Sequence, residues 1–139
     1  VVGTSYGGFL AVQLTKYREF EKLVLRVPAI YKQKNFYTPW SIKLDNEKTY
    51  DKEMYSYRTN IEELRKHPLL ARASKFKGKT LVVVHENDEL VPKETTDVFI
   101  ETFGADSYLA LGFGHSFHAK APKEDKETYK KVIADWLKK

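Results

Sequence analysis

The sequence predicts an α/β fold, a mostly parallel sheet with flanking helices. Two short runs, Leu23-Val24-Leu25 and Leu81-Val82-Val83-Val84, are continuously aliphatic, the pattern of strands buried on both faces. Strand candidates alternate with helical ones along the chain, which argues for parallel strands joined by crossover helices. The clearest helical signal closes the chain, where Tyr129, Val132, Ile133, Trp136 and Leu137 fall at i, i+3, i+4, i+7 and i+8.

Taken in order, Val1 to Gly3 reads as the end of a strand, so a region upstream is expected. Gly7 to Tyr17 reads as a helix with Leu10, Leu14 and Tyr17 on one face and Phe9 and Val12 nearby. Being apolar on most sides, it is expected to pack deep against the sheet. Lys22 to Val27 is the second strand and Lys79 to Val84 the third. Pro92 suits the first turn of a helix running to about Phe103, and Gly104 is placed to end it. Ser107 to Leu111 is the fourth strand, and the last helix covers Asp125 to Leu137. Residues 28–72 break the alternation. This stretch is long, polar and rich in aromatics, with helical pieces expected at Asn46 to Met54 and Asn60 to Lys66. It reads as a cap or lid inserted into a single domain of 139 residues.

Composition narrows the function classes. With 42% hydrophobic and 31% charged residues, the chain suits a globular domain. No apolar run approaches the ~20 residues of a membrane helix. The chain has no cysteine, which excludes a disulfide scaffold, a thiolate metal site and a cysteine nucleophile, and favours the cytoplasm. Net charge is +5, but the lysines are scattered among Glu and Asp, and Arg is the minority cation. A solvated lysine-rich surface is therefore preferred over a nucleic-acid interface.

Three loops carry candidate chemistry. Gly3-Thr4-Ser5-Tyr6-Gly7 fits G-x-S-x-G between a strand end and an apolar helix. A sharp strand-to-helix turn lifts the Ser5 hydroxyl out of the sheet edge and holds it in a sparsely allowed conformation. Gly3 and Gly7 are expected at crowded flanking positions, and Gly8 where helix and sheet approach closely. The backbone N–H of Tyr6, at the helix N-terminus, is the expected oxyanion donor. The second loop, His85 to Pro92, follows the strongest strand and offers Asp88 as the acid, with Glu86 and Glu89 as alternatives. Asp88 could equally stabilise a turn or cap the next helix. The third, Gly112-Phe113-Gly114-His115-Ser116-Phe117-His118, follows the last strand. His115 is the candidate base and His118 its competitor, while His67 and His85 are read as structural or exposed. The chain order Ser5, Asp88, His115 puts each residue in a loop after a parallel strand, on one edge of the sheet.

These motifs resemble those of α/β-hydrolase serine enzymes, especially small bacterial esterases and the catalytic domains of prolyl-oligopeptidase-like peptidases. Gly3 to Gly8 is similar to their G-x-S-Y-G-G elbow. Asp88-Glu89-Leu90-Val91-Pro92 is similar to their acid loop, with His85 where glycine is usual, and Gly114-His115-Ser116-Phe117 to their histidine loop. The resemblance implies a partial α/β-hydrolase fold holding about strands five to eight. It implies Ser5 as nucleophile, Asp88 as acid and His115 as base. Strands one to four and the second oxyanion donor would lie outside this chain, leaving a weak enzyme with an exposed sheet edge capable of self-association.

The expected activity is hydrolysis of a small-molecule carboxylic ester through an acyl-enzyme on Ser5. A peptidase of the prolyl-oligopeptidase type and a non-catalytic binding protein of the same fold are the alternatives. No metal or organic cofactor is implied, because acyl transfer by such a triad needs none. Nucleic acid and membrane are not expected partners.

Overall fold

Every strand among the described residues runs the same way. The computed structural model describes residues 1–36, 47–116 and 123–139. Strands β1 (Val2–Thr4), β2 (Lys22–Arg26), β3 (Lys79–His85) and β4 (Asp106–Ala110) form a four-stranded parallel sheet in chain order. Gly3 pairs with Leu25, Leu25 with Val82, and His85 with Ala110. This register brings the C-terminal ends of the strands to one edge. Helix α1 (Tyr6–Leu14) follows β1. Helices α2 (Gln33–Phe36), α3 (Glu47–Thr59), α4 (Ile61–Arg65) and α5 (Pro68–Ala73) lie between β2 and β3. Helix α6 (Lys93–Phe103) joins β3 to β4, and α7 (Lys123–Lys138) closes the chain.

The aliphatic strands sort their side chains by alternation, as a pleated backbone requires. Leu23, Leu25, Val82 and Val84 enter one core with Phe9 and Val12 of α1 and Val98 and Phe99 of α6. Val24, Leu81 and Val83 enter a second core with Ala110, Phe113 and the Tyr129 and Trp136 of α7. Met54, Tyr57, Leu64, Leu69 and Leu70, from α3 to α5, are buried in the first core, so these helices share the packing of the sheet.

Local chemistry sets the helix ends. Asn60 caps α4 by accepting the Glu63 N–H at 3.2 Å. His67 caps α5 through Nδ1, which accepts the Leu69 N–H at 3.1 Å, and Pro68 takes the first turn, where no N–H is needed. Gly104 ends α6 in the left-handed region, at φ 54°.

The first helix departs from its expected packing. It ends at Leu14, where the Thr15 hydroxyl donates to the Val12 carbonyl at 2.7 Å. Gly8, Phe9, Ala11 and Val12 are its buried residues. Leu10, Leu14 and Tyr17 are 45, 37 and 68% exposed, so the apolar stripe they were read as forming faces outward. Two apolar faces share this helix, and periodicity alone does not say which one meets the sheet.

Candidate active site

Ser5 sits between β1 and α1 with φ 50° and ψ −116°, a conformation that L-residues rarely adopt. Its neighbours hold it there. The Ser5 N–H donates to the Arg26 carbonyl at 2.9 Å, and the Ser5 carbonyl accepts from Phe9 at 3.2 Å and Ala29 at 3.1 Å. Val27, just after β2, also has positive φ (41°), and for a β-branched residue that is strain; its N–H donates to Val83 at 2.9 Å. Crowding explains Gly3: a Cβ there would lie 2.4 Å from the Gly7 carbonyl oxygen and 2.8 Å from Ala11 Cβ. Gly7 corrects the expectation made for it, since a Cβ at that position meets nothing within 4 Å. It is the Gly7 carbonyl, not its α-carbon, that approaches β1. A Cβ on Gly8 would stand 3.0 Å from Pro28 Cα, in the loop after β2. Tyr6 opens α1, so its N–H lacks an intrahelical acceptor.

The three distant loops converge. His115 Nε2 lies 2.9 Å from Ser5 Oγ, and its Nδ1 lies 2.9 Å from each Asp88 carboxylate oxygen. An ionised carboxylate only accepts, so Nδ1 carries the proton and bare Nε2 is free to accept the serine O–H. The Asp88 side chain is 2% exposed and that of His115 17%. Burial pushes the Asp88 carboxyl upward, but hydrogen bonds from His115 and from the Val91 and Leu90 amides outweigh it and hold the group below its usual range. Those amides reach Asp88 Oδ1 at 2.8 and 2.9 Å. The turn-stabilising reading of Asp88 and its contact with histidine therefore coexist in one carboxylate. The alternative acids brace the backbone instead. Glu86 accepts the Gly112 N–H at 2.8 Å, and Glu89 accepts the His115 N–H at 3.1 Å. His118 lies outside the described residues.

Sequence reasoning missed a second hydrogen-bonded chain behind the first. His85 is 4% exposed, with Nδ1 2.7 Å from the Gly114 carbonyl and Nε2 3.0 Å from the Tyr129 hydroxyl. Arg26 Nε donates to that hydroxyl at 2.8 Å. A carbonyl can only accept, so His85 donates through Nδ1, and the Tyr129 O–H donates to Nε2. Burial holds the His85 pKa below its usual value, which keeps the ring neutral and the directions consistent. The carbonyl it grips belongs to the residue before His115. The one sequence signal was His85 itself, standing where the similar enzymes carry glycine. His67 is likewise buried and bound, with Nε2 2.9 Å from the Tyr31 carbonyl.

Among the described residues, no group of three His, Asp or Glu side chains is placed to hold a metal ion, and no helix is long and apolar enough to cross a membrane.

The parallel sheet, its covering helices and the serine turn at its edge define a partial α/β-hydrolase fold. Within that class the chain belongs to the uncharacterised protein family UPF0227, which matches residues 1–121. It is similar to the enol-lactonase of Burkholderia xenovorans LB400, with TM-score 0.66 and 17% identity over 99% of this chain and 65% of that one. It is similar to an esterase of Exiguobacterium antarcticum, with TM-score 0.62 and 17% identity over 99% of this chain and 66% of that one. A serine hydrolase homologue of Coxiella burnetii matches with TM-score 0.59 and 14% identity over 98% of this chain and 47% of that one. The chain thus spans about half the length of several structures it matches. No curated protein sequence matches it.

Proposed function

We propose that this protein is a serine hydrolase that cleaves carboxylic esters through an acyl-enzyme on Ser5. One observation carries the reading: Ser5 Oγ, the His115 ring and the Asp88 carboxylate stand in an unbroken hydrogen-bonded line with 2.9 Å contacts. In the first half-reaction His115 Nε2 takes the Ser5 proton as Oγ bonds to the ester carbonyl carbon. The imidazolium then returns that proton to the alcohol oxygen as the C–O bond breaks. In the second half-reaction water attacks the acyl-enzyme by the same route, and the carboxylic acid leaves with Ser5 restored. Asp88 holds the ring in its reactive tautomer and offsets the charge it gains. The Tyr6 N–H, at the positive end of α1, donates to the oxyanion. The esterase and the enol-lactonase among the structural neighbours favour an ester over a peptide substrate.

Fluorophosphonate labelling of the full-length protein, beside Ser5→Ala and His115→Ala variants, tests this reading. Mass spectrometry should find the adduct on Ser5, absent from the first variant and formed at least ~100-fold more slowly in the second. A folded protein that hydrolyses no ester and takes no label at Ser5 would refute it.

A further inference from the structure

Beside the acid loop lies a cavity of about 810 Å³ whose lining includes Tyr31, Met54, Tyr55, Arg58 and Leu90. Its walls continue into the site. The Tyr31 ring meets the Tyr6 ring edge-on with centroids 5.6 Å apart, and Leu90 donates its N–H to Asp88. Beside its apolar and aromatic residues the lining carries Ser56 and the charged Asp51, Lys52, Glu89 and Arg58, and of the four charged residues Arg58 is the buried one. Arg58 is 8% exposed, and its guanidinium is always charged. Nε donates to the Ile30 carbonyl at 3.2 Å and Nη1 to the Leu90 carbonyl at 2.8 Å, while the group stacks 5.0 Å from the Tyr31 ring centroid. Nη2 makes no hydrogen bond among the described residues, and no carboxylate among them pairs with Arg58. Nη2 is not among the buried polar atoms left without a partner, so this end of the guanidinium is open to solvent while the rest is held by carbonyls and a ring. Neighbouring acids do not neutralise it. Glu89 accepts the His115 amide, and Asp51 is exposed beside the equally exposed Lys52.

We propose that Arg58 is the carboxylate-binding residue of this cavity and that the substrate is an ester bearing a free carboxylate. Arg58 lines the cavity with Nη2 unbonded among the described residues, and an arriving carboxylate supplies the missing counter-ion through charge-assisted hydrogen bonds. Tyr31 and Tyr55 flank the apolar chain between carboxylate and ester. This inference rests on the serine-hydrolase reading for its chemistry but not for its binding step.

The test compares matched esters. With the negative charge on the acyl side, 4-nitrophenyl hydrogen glutarate is set against 4-nitrophenyl pentanoate. With the charge on the alcohol side, 3-carboxyphenyl butyrate is set against phenyl butyrate. In one pair, the anionic ester should have the higher kcat/KM by ~10-fold or more, the pair that responds telling which side of the ester bears the carboxylate. That ratio should collapse in Arg58→Met and recover in part in Arg58→Lys. Equal or better hydrolysis of the neutral ester in both pairs overturns the proposal, as does a ratio that survives Arg58→Met. A variant that lowers both members of a pair equally shows that Arg58 only braces the Leu90 carbonyl, which also overturns it. If no ester is hydrolysed and Ser5 takes no fluorophosphonate, the functional reading has failed, and calorimetry with glutarate then decides the binding claim. Binding that is lost in Arg58→Met supports it, and no binding to the folded wild-type protein overturns it.

Discussion

Replacing His85 by Phe should loosen the loop that carries His115 while leaving the surrounding core filled. The phenyl ring can keep the aromatic contacts of the imidazole, whose centroid lies 5.5 Å from those of Phe113 and Tyr129. The loss is therefore polar. Two hydrogen bonds go, at 2.7 and 3.0 Å, each worth ~1 kcal/mol net. The Gly114 carbonyl then lacks its donor, adding ~1–2 kcal/mol, whereas the Tyr129 hydroxyl keeps Arg26. The sum is ~3–4 kcal/mol, or about a 1.5–2 M fall in urea midpoint at a typical slope of ~2 kcal/mol/M. His85→Asn places an amide N–H near the position of Nδ1 and should recover about half of the loss. Urea unfolding followed by tryptophan fluorescence at pH 8 measures the stability. The rate of fluorophosphonate addition to Ser5 in native buffer measures the loop. An ångström of drift in His115 costs that rate ~100-fold in the Phe variant. Equal stability of wild type and Phe variant, or no advantage of Asn over Phe, would sink the relay argument.

Gly3→Ala places a methyl 2.4 Å from the Gly7 carbonyl oxygen, backbone that cannot yield, so either ~3 kcal/mol of stability or the Ser5 geometry should be lost; unfolding and Ser5 labelling together read both. Gly7→Ala, which meets nothing within 4 Å, serves as its matched control and should change stability far less. Burial holds both His67 and His85 below the usual 6.5, so the unfolded chain binds the extra protons. Stability is then fully present above about pH 6.5 and falls as the pH drops through the lowered folded values, by up to ~1.4 kcal/mol per pH unit for each ring. Urea midpoints between pH 8 and 5 show this, and a midpoint that rises toward acid contradicts it. Asp88 is shifted the same way and adds its own loss only below its usual 3.8. Gly104→Ala, in the left-handed cap of α6, should cost ~1 kcal/mol by thermal or urea melting, and Gly104→Asn less.

Much of this was legible from local pattern. The aliphatic runs placed β2 and β3 within a residue of their ends, and Gly104 marked the end of α6 because a left-handed cap selects glycine. The three loops of the site could be aligned from chain order because parallel strands bring their C-terminal ends together. Other features depended on register and packing, which no local pattern carries. The outward face of α1 holds Leu10 and Leu14, as apolar as the Phe9 and Val12 it buries. Arg58 looks like any helix-surface cation until the Ile30 and Leu90 carbonyls close on it. His85 acquires its meaning only when β3, β4 and α7 bring Gly114 and Tyr129 to its two nitrogens. Asp88 had two competing readings, and its carboxylate contacts both the turn amides and the His115 ring.

The chain-ordered parallel sheet has a kinetic consequence. Parallel neighbours cannot be joined by a tight hairpin, so each strand pairing closes a long loop before it repays that entropy. Contacts of such high separation slow folding, and the latest to form bridge the ends of the chain. Ser5 and His115 are 110 residues apart, whereas Asp88 and His115 are separated by only 27. During refolding the acid and the histidine can meet within the C-terminal β–α–β unit before the serine joins them. Nucleophile reactivity should then appear after fluorescence has already reported collapse, and a serine-directed probe becomes a clock for completion of the native fold.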